Sequence, residues 1–427
     1  MQAIGIDIGT TSICGVVVDT KSGELLRSRT ENSNAFIDTE NEWERIQSPE
    51  KIIALATDIL DEFICDETVV IGVTGQMHGI VYTDKNGNAV SPLYTWQDGR
   101  GNLSFEDSTY AEHLCSHSGY GNVTDFYNRT NGIVPSEAVS YCTIHDYLVM
   151  KLCGLKKALV HTSDAASFGC FDLENNTFFY DNCNVEVVSD YRIAGEYKGV
   201  PVSVAIGDNQ ASVFSCLQDE NEILINVGTG SQISVISDKI IVGENVETRP
   251  YFENKYLVVG AALCGGRAYA ILKNFYSEIL GYVGEFDEDK VYSVMAKMLE
   301  KGDGTTLSVD TRFSGSRADE SLRGSISNIS TTNLTPTDLT YGVLEGMMDE
   351  LYNMYADMKL HREGVVASGN GIRKNPALAH VAEKMFEASL KIPAHTEEAS
   401  LGAALFALIA AGHFENAKQA QKLIKFL

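Results

Sequence analysis

The chain has 427 residues, 44% of them hydrophobic and 21% charged, with 33 basic against 58 acidic side chains and a net charge of −25. That length exceeds one ordinary core and points to two domains of about 200 residues each, expected at 1–200 and 201–427. The acidic balance argues against a general nucleic-acid binder and against a protein drawn to anionic membranes. No leader of the basic-then-apolar kind is visible, and the apolar stretch Leu401 to Ala411 is too short to span a bilayer. Nine cysteines, odd in number and never in a C-x-x-C pair, fit reduced thiols and a cytoplasmic location better than disulfides or zinc.

The chain opens on Ile4-Gly5-Ile6-Asp7-Ile8-Gly9-Thr10-Thr11-Ser12, which reads as a buried strand, a tight turn and a returning strand, Ile13 to Asp19. Glycine lets a backbone approach a ligand, and the adjacent hydroxyl and N–H groups suit phosphate oxygens. Asp7, just before the turn, suits a hydrated Mg²⁺ held against those phosphates. An ordinary hairpin with a capping Asp would read similarly. A third strand, Glu24 to Arg29, a helix from Pro49 to Phe63 and a buried strand Val69 to Thr74 follow. That order is the start of a ribonuclease-H-like, actin-type domain, and polar residues just past strand ends in such sheets face ligand.

Gln76, Met77 and His78 hold such a place. Trp96, Asp98 and Arg100 follow within a short stretch, where amide, carboxylate and indole suit the hydroxyls and C–H face of a polyol; an internal Asp–Arg pair in a loop is the other reading. Residues 101–135 read as irregular, Ser136 to Leu152 as one helix, and Ser163 to Ser167 as a capped small-residue segment. Val200 to Ile206 is a strand delivering Gly207-Asp208-Asn209-Gln210, so Asp208 is the candidate general base, with helix capping as its alternative role. Ile225-Asn226-Val227-Gly228-Thr229-Gly230-Ser231 repeats the opening motif with Asn226 in the place of Asp7, which indicates a duplicated architecture. Strand Tyr256 to Ala262, a helix from Ala268 to Leu280, and a helix from Pro336 to Leu360 lead to strand Val365 to Ser368. Then come Gly369-Asn370-Gly371 and a helix from Pro376, where glycines would admit a flat adenine. No P-loop, H-E-x-x-H or G-x-S-x-G pattern is present.

Together these stretches resemble the FGGY family of carbohydrate kinases over nearly the whole chain. The resemblance implies an α/β protein of two ribonuclease-H-like (actin/hexokinase-type ATPase) domains around a central cleft. It implies ATP and Mg²⁺ as cofactors, with the γ-phosphate passing to a ketose hydroxyl. In that scheme Gly9, Thr10, Thr11, Ser12, Gly228, Thr229, Gly230, Gly369, Asn370 and Asn375 hold nucleotide, Asp7 the metal, and Asp208 is the base. Gln76, Met77, His78, Asp98 and Asn209 line the sugar site, supported by Trp96 and Arg100. Tyr94 to Arg100, Thr143 to Tyr147, Leu152 to Leu155, Ser163 to Gly169 and Gly369 to Pro376 are most similar to sedoheptulokinases. Sedoheptulose is therefore the expected sugar, xylulose the alternative, and a non-catalytic actin-like nucleotide binder the alternative from another class. The expected partner is a small-molecule sugar, without nucleic acid or membrane, and a homodimer is possible on this scheme.

Overall fold

The computed structural model describes residues 1–180, 182–300, 302–317, 319 and 321–427. Its contacts gather the chain into two compact units. The first comprises Met1–Ser215, Arg249–Lys255 and Glu397–Lys425; the second comprises Cys216–Thr248, Tyr256–Thr396 and Phe426–Leu427. Against a single boundary at residues 200 and 201, the chain therefore re-enters the first unit twice.

Unit 1 is built on a seven-stranded sheet. Its strands are β1 (Gln2–Ile8), β2 (Ser12–Asp19), β3 (Leu25–Asn32), β4 (Thr68–Gly75), β5 (Ile193–Tyr197), β6 (Val200–Ser203) and β7 (Ile206–Gly207). The order is β5-β6-β4-β1-β2-β3, with β7 also on β4. β1 runs antiparallel to β2 and parallel to β4, so Asp7 lies opposite both Cys14 and Thr74. The near-continuous apolar run of β1 is what a central strand covered on both faces requires.

Helix α1 (Pro49–Phe63) starts where Ser48 accepts a hydrogen bond from the Lys51 N–H and Pro49 occupies the first turn. Its buried stripe of Ile52, Ala56, Ile59, Leu60 and Phe63 is the amphipathic pattern that docks a helix on a sheet. Three further helices serve the site: α2 (Ile144–Cys153), α3 (Thr162–Ser167) and α4 (Asp208–Cys216).

The helix Glu398–Ala410 explains the late return to unit 1. Ser400 through Ile409 are all buried, and the helix lies against β1 and β4 at glycines. A Cβ on Gly5 would sit 1.8 Å from the Ser400 carbonyl oxygen, and one on Gly72 would sit 2.0 Å from that of Ala403. Only glycine permits so close an approach of helix backbone to strand.

Unit 2 repeats the plan with β8 (Glu222–Val227), β9 (Ser231–Ser237), β10 (Tyr256–Ala262), β11 (Gly364–Ser368) and β12 (Leu390–Lys391). These run in the order β10-β9-β8-β11-β12. β8 is antiparallel to β9 and parallel to β11, and Asn226 lies opposite Gln232 and Ser368 as Asp7 lies opposite Cys14 and Thr74. Helices α5 (Gly266–Val283), α6 (Pro336–Met358) and α7 (Pro376–Phe386) pack on this sheet.

Three expectations change. The expected helix Ser136 to Leu152 is a strand, Ser140–Cys142, followed by α2. Thr143 caps that helix by accepting from the Asp146 N–H, and a cap inside the stretch divides it. Val200 to Ile206 is broken between β6 and β7. The supposedly irregular residues 101–135 include a helix, Gly121–Thr130.

Gly72→Val is expected to lower stability by about 3 kcal/mol or more, since overpacking here meets backbone rather than a movable side chain. Urea denaturation checks this, and an unchanged midpoint would refute the docking argument.

Candidate functional site

The ends of β1, β4 and β7 lie side by side because Gly75 pairs with both Ile8 and Gly207. This juxtaposition places Asp7, one residue before the end of β1, near Asp208, which follows β7 and opens α4. Burial pushes the Asp7 carboxyl up to about 7; Asp208 adds to the rise, His145 opposes it, and Glu397 adds again. Asp208 is pushed up to about 6 by burial, held back by His145 and Arg249. The Oδ1 of Asp7 is shielded and has no hydrogen-bond partner among the described residues. A carboxylate oxygen in that condition fits a hard divalent cation such as Mg²⁺, whose charge would reverse the pressure to protonate.

Beside this corner, Gln76 donates from Nε2 to Gln47 Oε1 at 2.9 Å, and Gln47 donates to the Thr10 carbonyl at 2.6 Å. The strand end after β4 is thereby tied to the Gly9–Ser12 turn. Met77 is buried, and its thioether lies against Gly207. His78 adopts a left-handed backbone, φ 73°, that a β-carbon disfavours. It is held there by Ser167, whose hydroxyl takes the His78 N–H at 3.0 Å and whose carbonyl lies 2.8 Å from Nδ1. The ring also stacks on Tyr120 at 4.2 Å. A carbonyl only accepts, so Nδ1 carries a proton, and in the neutral ring Nε2 is then the acceptor. Such a held, disfavoured conformation is characteristic of ligand sites. Asn209, beside Asp208, accepts from Arg249 at 3.3 Å.

Asp98 and Arg100 depart from the expected sugar contacts. Each is 1% exposed. Asp98 accepts from the Arg45 N–H at 3.0 Å and from the Arg100 N–H and Nε at 3.1 and 2.6 Å. Arg100 in turn lies 4.3 Å from the Tyr94 ring and bonds Asn128. Their charges are used up internally, which is the loop-pair reading of that stretch. Trp96 is different: it is 46% exposed, and its indole N–H donates to Thr10 Oγ1 at 2.9 Å.

In unit 2, the turn Gly228-Thr229-Gly230 is seated on the start of α5: Gly266 and Arg267 N–H groups donate to the Gly228 and Thr229 carbonyls at 2.9 and 3.0 Å. It borders a cavity of about 850 Å³ that Gly369, Asn370 and Asn375 also line. Gly369 has φ 86°, and a Cβ there would meet the Val227 carbonyl at 2.5 Å, so glycine is required. Asn375 caps α7 by accepting from the Leu378 N–H at 3.2 Å. Tyr269 and Tyr292, stacked 5.8 Å apart, form an aromatic wall of the same cavity.

Several of these groups escape a reading of local motifs. Gln47, Arg249 and Glu397 come from distant parts of the chain and carry no local pattern. His145 and Asp164 stand in stretches that carry the family resemblance, and that was the available signal.

Two units sharing one strand register, each with a glycine–hydroxyl turn between its first two strands, are duplicated ribonuclease-H-like domains of the actin/hexokinase-type ATPase class. Residues 2–189 match the N-terminal domain, and residues 223–411 the C-terminal domain, of the FGGY family of carbohydrate kinases. The chain belongs to that family and is a sugar kinase, a phosphotransferase acting on an alcohol group. It is 28% identical to the sedoheptulokinase of Mus musculus over 90% of this chain and 92% of the mouse protein. It is 23% identical to the xylulose kinase of Staphylococcus xylosus over 95% of this chain and 90% of that one. The crystal structure of xylulose kinase from Rhodospirillum rubrum superposes with a TM-score of 0.85 at 17% identity, covering 100% of this chain and 93% of the other.

The raised Asp7 carboxyl makes a signed prediction. Its folded pKa of about 7 lies above the ordinary 3.8 of an aspartate, so its cost to stability is absent below pH ~4 and grows as pH rises toward ~7. In metal-free buffer, Asp7→Asn should raise the melting temperature at pH 8, and the gain should shrink to nothing by pH 4. Calorimetry across that range checks it; a gain independent of pH would refute it.

Proposed function

We propose that this enzyme transfers the γ-phosphate of ATP to a primary hydroxyl of a ketose, sedoheptulose, giving sedoheptulose 7-phosphate. The observation that carries the mechanism is Asp208, a strand-end carboxylate poised near 6 by burial. At neutral pH such a group is mostly ionised yet basic enough to accept a proton, the compromise a general base needs. The sugar oxygen bonds to the γ-phosphorus, the bond from that phosphorus to the β-bridging oxygen breaks, ADP leaves, and the hydroxyl proton passes to Asp208.

Gln76, Met77, His78 and Asn209 are the sugar contacts in this reading, with Nε2 of His78 accepting from a hydroxyl and Trp96 closing the side toward Thr10. Gly9 to Ser12 and Gly228 to Gly230 cradle phosphates, while the glycine-lined cavity of unit 2 takes the nucleoside. Asp7 would hold Mg²⁺, which when bound would supply charge neutralisation for phosphoryl transfer. The preference for sedoheptulose rests on the relatives' identities, and xylulose is the competing sugar.

The compartment we assign is the cytoplasm, in keeping with nine cysteines of which none forms a disulfide among the described residues; no helix among the described residues is long and apolar enough to cross a membrane. The assembly we assign is a homodimer through α5, where Ile271, Phe275, Ile279 and Val283 stand exposed at four-residue spacing beside Tyr282 and Leu334. A contiguous exposed apolar stripe marks an interaction surface, and a second copy offers the same stripe in return.

Two measurements test these assignments. ADP release with Mg²⁺-ATP against sedoheptulose, xylulose, ribulose and glycerol should favour sedoheptulose and fall about 10²–10⁴-fold in Asp208→Ala. A preference for xylulose would replace the sugar and keep the base, whereas undiminished turnover in the mutant would remove the base. Light scattering should give a dimer for the wild type and a monomer for Ile279→Glu, and a monomeric wild type would overturn the assembly.

A further inference from the structure

The cavity of unit 2 differs in charge from the chain around it. The whole chain carries −25, yet among the described residues no carboxylate lines this space, and its charged side chains are Arg267 and Lys374. Elsewhere the arginines meet carboxylates: Arg29 with Glu31, Arg100 with Asp98 and Arg312 with Asp310, at 2.7, 2.6 and 2.6 Å. The Arg267 guanidinium and the Lys374 ammonium have no hydrogen-bond or ion-pair partner among the described residues. A space lined in this way is charged to receive an anion.

The backbone fixes where the first cation starts. Arg267 is the second residue of α5. Its N–H donates to the Thr229 carbonyl at 3.0 Å, and that of Gly266 donates to the Gly228 carbonyl at 2.9 Å. A Cβ on Gly266 would lie 2.6 Å from the Gly228 carbonyl oxygen, so the start of the helix and the turn are seated on each other. The exposed side chain of Arg267 therefore springs from the Gly228–Thr229 turn itself. Lys374 comes from another stretch of the lining, where its N–H donates to the Asn370 carbonyl at 3.0 Å.

The two cations offer different things. A guanidinium presents paired N–H donors that match phosphate oxygens, whereas an ammonium acts as a point charge. Tyr269 and Tyr292 give the cavity a face on which a base can stack. With the nucleoside on that wall, the phosphates joined to its ribose are the ones that meet the Gly228–Thr229 turn. Those phosphates are present in ATP, in ADP and throughout the transfer. A contact to them strengthens donor and product binding alike and leaves the barrier from the bound state unchanged.

We propose that Arg267, assisted by Lys374, is the protein's own cation for the diphosphate shared by ATP and ADP, and that it sets ATP affinity and inhibition by ADP in equal measure. This rests on the reading of the unit 2 cavity as the nucleoside site.

Kinetics and calorimetry of Arg267→Ala, Lys374→Ala and Tyr292→Ala test it; all three side chains are exposed, so folding is not at stake. Arg267→Ala should raise the KM for ATP and the Ki for ADP together, about tenfold, while affinity for adenosine stays within about twofold. Lys374→Ala should do the same by about threefold. Arg267→Lys should recover part of the loss and Arg267→Glu should exceed it, as a charge contact requires and a change of shape does not. Raising salt from about 50 to about 500 mM should weaken ADP binding less in Arg267→Ala than in the wild type. An Arg267→Ala enzyme with wild-type ADP affinity, or one that loses adenosine as much as ADP, would overturn the proposal. Tyr292→Ala separates it from the reading beneath it. If that variant binds ADP as the wild type does, the cavity is not the nucleoside site and both fall. If it weakens ADP while Arg267→Ala does not, the site stands and the role of the cation falls.

Discussion

Like charges crowded into a water-poor corner repel, and each resists ionisation; that constraint governs unit 1. β1 and β7 both end against Gly75, so the residues at those ends, Asp7 and Asp208, must share one small volume. Shielded from water, both carboxyls are pushed up by burial, and Asp208 adds to the rise of Asp7. The protein tolerates this with His145 and Arg249 rather than with distance. A site arranged in this way is destabilised when empty of cations and relaxes when a cation or a proton arrives, which is how stability is given up for reactivity.

The second unit shows what the same backbone does without the charge. Asn226 occupies the register position of Asp7, and its amide donates to Ser368 at 2.8 Å, closing on the neighbouring parallel strand. Thr74, the counterpart of Ser368, donates instead to the Ile206 carbonyl at 2.7 Å and helps hold β7 in place. The duplicated sheets therefore place a carboxyl at this register position in unit 1 and a neutral amide–hydroxyl pair in unit 2.

Much of the framework was legible locally. The helical pattern from Pro49 to Phe63 and the strand Tyr256 to Ala262 were both read with the observed bounds. The repeated strand–turn–strand motif revealed the duplication. Where tertiary pairing or capping overrode local pattern, the reading strayed: Ser140–Cys142 became a strand because it pairs with Val81–Thr83, a partner nearly sixty residues away. The attachment of Glu398–Ala410 to the first unit was hidden for the same reason, since Gly5 and Gly72 declare close approach without naming what approaches. Within the site, groups at strand ends were found by position, whereas His145, Arg249 and Glu397 act through the field they make, and a field has no sequence motif.

Asp98 and Arg100 have the chemistry of binding residues and spend it on each other. A buried ion pair contributes little net stability, because the desolvation of two charges offsets their attraction. Its value lies in geometry: Asp98 holds Arg45 and the turn at Gly99–Asn102, and Arg100 is sandwiched against Tyr94. That positions Trp96, which projects outward and reaches Thr10 in the Gly9–Ser12 turn. The indole thereby links the loop to the turn, as Gln47 links Gln76 to the same residue through its carbonyl. Thr10 is held from two directions, so a shift of either Trp96 or Gln47 is transmitted directly to the glycine–hydroxyl turn.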